Sequence, residues 1–275
     1  IRHFHALEHP GLHFLLLTDG SPQAQAALAL GGQFARLAHA RTVVLGYGLQ
    51  GEAMQRHLQH AKELLGSGLA ALDVRATSEP VALAVHREAE RQPYDLVILG
   101  FNPATGLDLA ESILQAGDHN LLLAPRPQEV PTRALIAATT GEPGKDDVLF
   151  AGRLVRHVGA RATLISVLED SDDPAARERA ERFLAGGVRS LEILGVPAQT
   201  AVRTGPVSKT IAQELAADGY DLLVLGTPPA DLDGRISLRG VVEQMMNQSL
   251  ACATLLVRST QFSFFEPAVV ETVRI

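Results

Sequence analysis

The chain has 275 residues, with 24 Lys and Arg against 31 Asp and Glu and a net charge of −7. That balance excludes the basic face of most nucleic-acid binders, while 46% hydrophobic and 20% charged residues exclude extended disorder. One cysteine, Cys252, excludes an internal disulfide framework and leads to the expectation of a reducing, cytoplasmic setting, and no apolar run is long enough to insert in a membrane.

In chain order, His13–Thr18 is an apolar run. Ser21-Pro22 then opens a helix, with Ser as N-cap and Pro at the first helical position. A β-branched run at Thr42–Leu45 precedes a helix from Glu52 to Leu65. Leu72–Thr77 alternates apolar and polar, and Pro80 starts a helix reaching Arg91. Asp95–Leu99 and Leu121–Ala124 are further strands around an Ala/Leu-rich helix. A second series follows, with strands at Ala134–Ala138, Ala162–Val167, Ala198–Val202, Asp221–Leu225 and Ala253–Val257. Near-continuous apolar strands separated by helices indicate a parallel sheet covered on both faces.

The two series are copies of one unit. Tyr94-Asp95-Leu96 and Gly100 match Tyr220-Asp221-Leu222 and Gly226, and Pro80-Val81 and Glu88 match Pro206-Val207 and Glu214. Gly20 with Pro22 matches Gly141 with Pro143, Ala40-Arg41 matches Ala160-Arg161, and Leu121-Leu122 matches Leu255-Leu256. The drift in these offsets places about eight extra residues after Gly226. The expected fold class is α/β, as two tandem doubly wound domains, each a five-stranded parallel sheet flanked by helices. The expected domains are 1–128 and 129–261, joined by a stiff Pro125–Pro131 linker, with a tail at 262–275. That tail concentrates Phe262, Phe264 and Phe265, which either dock on a partner or fold back on the chain's own sheet.

These residues resemble the universal stress protein family in its tandem two-domain form. Leu15-Leu16-Leu17-Thr18-Asp19-Gly20-Ser21 is similar to that family's opening strand and turn. Both Tyr-Asp-Leu segments ending in glycine resemble its penultimate strand, and Ser249–Val257 its closing segment. The resemblance covers about residues 12–125 and 132–258, and implies an adenine nucleotide alpha hydrolase-like, Rossmann-type fold. In the family's ATP binders a Gly-x-x-Gly loop, nine residues and then Gly-Ser or Gly-Thr follow the fourth strand. Glycines there let backbone amides approach phosphate. Here Gly226 and Gly240 keep that pattern, whereas Pro229 replaces the second glycine, Val241 the hydroxyl residue, and the spacing is one too long. Asp231 and Asp233 stand where phosphates would lie. In the first copy Gly100 leads into a shortened loop with Leu107-Asp108 in place of Gly-Ser. The adenosine-contacting aspartate of binders corresponds to Asp19, and to Thr140 in the second copy.

Other motifs read as structure. Gly46-Tyr47-Gly48-Leu49-Gln50-Gly51 matches a dinucleotide fingerprint, but follows the second strand of its copy and has no glycine in its counterpart, Ser166-Val167-Leu168. Gly141–Asp146 only partly matches a P-loop and reads as a turn whose Lys145 and Asp146 begin a helix. His57 and His60 have a metal-sharing spacing without a third ligand, and His3, His5, His9 and His13 read as a terminal strand. Cys252 is expected in the core.

The expected function is a non-catalytic binding or regulatory module in stress response with degenerate nucleotide-binding loops. The resemblance implies an adenine nucleotide (ATP or AMP), with the first copy favoured through Thr18, Asp19 and Gly100, and Gly226 and Gly240 as the second copy's candidates. No catalytic constellation is expected, and the partners expected are that nucleotide and a protein or a second copy of the chain. Two alternatives stand beside it. One is a cytosolic regulatory domain of a larger protein such as a membrane transporter, suggested by Ile1 in place of Met. The other is a nucleotide-dependent enzyme.

Overall fold

The computed structural model describes residues 11–66, 68–102, 106–139, 142–169, 173–231, 233–248 and 252–258. Its first half runs β1 (His13–Thr18), α1 (Pro22–Leu37), β2 (Arg41–Gly46), α2 (Gly51–Leu65), β3 (Ala71–Ala76), α3 (Val81–Arg91), β4 (Leu96–Gly100), α4 (Gly106–Gln115) and β5 (Asn120–Ala124). The second repeats it as β6 (Arg133–Ala137), α5 (Glu142–Val158), β7 (Arg161–Leu168), α6 (Pro174–Ile193), β8 (Ala198–Thr204), α7 (Val207–Asp218), β9 (Leu222–Gly226), α8 (Val241–Asn247) and β10 (Ala253–Val257). Helix α1 starts as its sequence dictates, with the Ser21 hydroxyl accepting from the Ala24 amide at 3.2 Å. Helix α5 begins at Glu142, three residues earlier than the turn at Lys145 suggests. The Phe-rich tail, His3, His5 and His9 lie outside the described residues.

All ten strands join one sheet, in the order β3-β2-β1-β4-β5-β10-β9-β6-β7-β8. Pairing is parallel except between β5 and β10, where Leu121, Leu122 and Leu123 face Leu256, Leu255 and Thr254 antiparallel. The sequence announces two five-stranded sheets. Their fusion into one comes from edge strands whose side chains are buried, leaving backbone donors and acceptors that must be paired. Each half keeps the doubly wound order, first strand central and flanked by second and fourth. Because β5 and β10 oppose each other, the carboxyl ends of the two halves' strands emerge at opposite edges of the sheet. One buried core lies between the sheet and α1, α2, α5 and α6, the other between the sheet and α3, α4, α7 and α8.

The linker contributes to the join. Gln128 donates from its amide to the Asp221 carbonyl at 3.1 Å and accepts from the Ala253 amide at 2.8 Å. Arg258 donates its backbone N–H to the Asn120 side chain and its guanidinium to the Leu114 and Gly117 carbonyls. The extra residues of the second half, between β9 and α8, form a strap across α4. There Leu238 N–H donates to Glu111 at 2.6 Å, Ile236 N–H donates to Gln115 at 2.9 Å, and the Gln115 amide donates to the Gly234 carbonyl at 2.6 Å. Ile236 and Leu238 of this strap are buried.

A buried acid–arginine pair recurs in both halves. Glu88 receives Arg75, Arg91 and the Tyr94 hydroxyl, whereas Glu214 accepts from Nε and Nη2 of Arg203, each at 2.9 Å, and the Tyr220 hydroxyl has no partner among the described residues. Arg203→Ala strands a buried carboxylate and is expected to lower stability by about 2–3 kcal/mol. Arg75→Ala, which leaves Glu88 two partners, is expected to cost less than half as much. Paired urea titrations would show this order, and equal losses would refute it.

Candidate functional site

In a doubly wound sheet the crevice for a ligand opens at the carboxyl ends of the strands, where the order reverses. The second half has such a cleft, of about 570 Å³, within the range of small-molecule sites. Its floor is the ends of β6, β7 and β9 (Ala137, Ile165, Val167, Leu225 and Gly226), and Val207 and Ile211 of α7 and Val242 of α8 wall it. Arg179 of α6 and Arg239, just before α8, line it as well.

Asp147 of α5 is the one acid lining this cleft among the described residues. It is 2% exposed, and its Oδ1 is buried without a hydrogen-bond partner. Burial, with Asp146 beside it, pushes its carboxyl up to about 7. Gly226 makes room for it: a Cβ there would lie 2.3 Å from Asp147 Oδ2. The loop that follows begins Thr227-Pro228-Pro229, and both prolines line the cleft. Neither has an N–H, so the backbone there cannot supply the amides that cradle a phosphate.

The first half's carboxyl edge is occupied by its own side chains. Thr18 is fully buried, and its hydroxyl lies 2.6 Å from His57 Nε2 of α2. Burial, then His60, lowers the His57 pKa against an opposing pull from Asp19, which favours the neutral ring. Asp19 Oδ1 accepts from the Ser21 amide at 2.9 Å, closing its own turn. Tyr47, beside Asp19, is pushed up to about 12, chiefly by burial, and remains a phenol. Gly48 and Gly51 have φ of +75° and +57°, a backbone that L side chains rarely adopt, so the conformation of that loop calls for glycine.

Of the residues singled out in the sequence, Gly226 lines the cleft, and Gly240 caps α8 at φ +92° between the lining residues Arg239 and Val241. Thr18, Asp19 and Gly100 gather at the opposite edge of the sheet, where a Cβ on Gly100 would lie 2.3–2.5 Å from the backbone of Gln23 and Ala24. Asp147 was not singled out. Its signal lies in the repeat: at an offset of 120, Asp146-Asp147 stand where the first copy has Ala26-Ala27, both buried. Cys252 is buried, and burial raises its thiol to about 11, so it stays protonated near neutral pH.

A second groove, of about 650 Å³, lies at the amino ends of β6, β7 and β8 and is lined by Arg133, Arg161, Gln199 and Tyr220. Arg133 stacks 5.1 Å above the Tyr220 ring. Among the described residues no cluster of three His, Cys, Asp or Glu could hold a metal, and no helix is long and apolar enough to cross a membrane.

No family model matches the chain, and no curated protein does. Solved structures do. A universal stress protein from Archaeoglobus fulgidus DSM 4304 superimposes with a TM-score of 0.68 at 15% identity, over 90% of this chain and 97% of that one. A candidate universal stress protein from Pseudomonas aeruginosa UCBPP-PA14 gives 0.62 at 15% identity, over 90% and 92%. A functionally unknown protein from Pseudomonas aeruginosa PAO1 gives 0.60 at 14% identity, again over 90% and 92%. The expected α/β fold is therefore present along nearly the whole chain, and it is shared with a universal stress protein.

Proposed function

We propose that the chain is a tandem universal stress protein, a cytoplasmic, non-catalytic binding and regulatory module of a stress response, with its ligand in the second half. The cleft over β6, β7 and β9 carries this reading: it lies where doubly wound sheets bind ligands and has the volume of a small-molecule site. The first half is the poorer host, because Thr18 and Asp19 are already bonded to His57 and Ser21.

Adenine nucleotides are the first ligands to try, and the prolines and Asp147 predict fewer phosphates over more. With Mg²⁺ and millimolar ligand, AMP is expected to raise the thermal midpoint and ATP to raise it less. Val207→Trp, which places an indole in the cleft, should abolish the AMP effect. An equal rise with ATP, or a rise that survives Val207→Trp, would move the site elsewhere. Steady hydrolysis of ATP would make the protein an enzyme.

A further inference from the structure

We propose that the second-half cleft receives the nitrogen end of an apolar organic base, an amine, amidine or aminated ring, against Asp147. This rests on the reading that the cleft is the ligand site. The observation behind it is a buried acceptor: Asp147 Oδ1 has no hydrogen-bond partner among the described residues, in a residue 2% exposed. Such a group is costly, and a donor delivered by a ligand would relieve it. Gly226 leaves the space that the carboxyl occupies, since a Cβ there would strike it.

The rest of the cleft fits the same class of molecule. Ile165, Val167, Ile211, Leu225 and Val242 line the path to the carboxyl, so the body behind the nitrogen is apolar. Phosphate is a poor inner group, because Pro228 and Pro229 offer no amide and Asp147 would repel it. Arg179 and Arg239 also line the cleft and are both exposed. They suit an acceptor or anion at the ligand's outer end, which makes a base with an acidic or hydroxylated tail the best match.

The test uses amide NMR spectra of the full chain titrated with benzylamine, benzamidine and benzoate, compounds of one size and three charge patterns. Benzylamine and benzamidine are expected to shift the Gly226, Val207 and Val242 signals, with benzoate weaker by roughly tenfold or more, as loss of a charge-assisted hydrogen bond predicts. Asp147→Asn, close in shape, should weaken the bases by a similar factor and leave benzoate no weaker. Benzoate binding as tightly as the bases, and lost in Val207→Trp, keeps the cleft and overturns the donor rule. Base binding that survives Val207→Trp overturns both the cleft and the rule. Absence of any shift from either base at millimolar concentration overturns the proposal. An AMP effect that Asp147→Asn leaves intact also overturns it, while the cleft stands.

Discussion

Asp147→Asn is expected to make the protein more stable at about pH 8 and to change little at about pH 4. The Asp147 carboxyl is raised from 3.8 to about 7 in the fold, so the folded chain holds a proton that the unfolded chain releases. A raised acid of this kind favours folding most below its unfolded pKa. That benefit is lost as pH climbs towards the folded pKa and is fully gone above it. Three pKa units set a ceiling of about 4 kcal/mol, and relaxation of the cleft should bring the measured gain to about 2–3 kcal/mol. Asn carries no charge to bury, so the wild-type loss between about pH 4 and pH 7 should be missing from the variant. The charged groups around the site are Asp146 on the same helix and the cleft residues Arg179 and Arg239, so the difference between the proteins isolates the carboxyl. Urea titrations of both across that range would measure it. A difference that stays flat with pH would mean that Asp147 is not desolvated.

Gly100→Ala should be strongly destabilising. Its Cβ would lie 2.3 Å from the Gln23 carbonyl carbon and 2.4 Å from the Ala24 nitrogen, in the first turn of α1. Backbone cannot swing aside as a side chain does, so α1 must lift and lose the cap that Ser21 supplies. A loss of about 3 kcal/mol or more is expected. Gly226→Ala meets a different obstacle, since its Cβ would strike the Asp147 carboxyl and no backbone atom is among its nearest contacts. In an Asp147→Ala background that obstacle is gone, and Gly226→Ala should cost about 1–2 kcal/mol less than in the wild type. Thermal unfolding of the four proteins of this cycle would measure the coupling. Strictly additive costs would show that the glycine is required for another reason.

These two glycines also mark what could be read in advance. Both appear in the sequence as the ends of matching Tyr-Asp-Leu strands, and both end strands in the fold. The strands were legible because their apolar runs are short and closed by turn residues. The β5–β10 join was not, because the facing segments lie more than a hundred residues apart and are almost wholly apolar, like the strands on either side of them. Thr18 and Asp19 were legible as the end of a strand, but the bond from Thr18 to His57 depends on how α2 returns over the sheet. Asp147 was hidden for another reason: adjacent acids near the start of a helix read as part of its wet face. Only its counterpart, Ala27, shows that the position points inward.

A symmetric pair of separate chains would have to carry every insertion twice, at both copies of an interface. Here the strap between β9 and α8 exists once, and the α4 side chains that hold it, Glu111 and Gln115, belong to the other half. Covalent joining has thus freed the halves to specialise. In one half the hydroxyl at the end of the first strand, Thr18, meets His57, and in the other the strand ends line a cleft. The first half thus holds, through α4, the segment that leads from the cleft to α8.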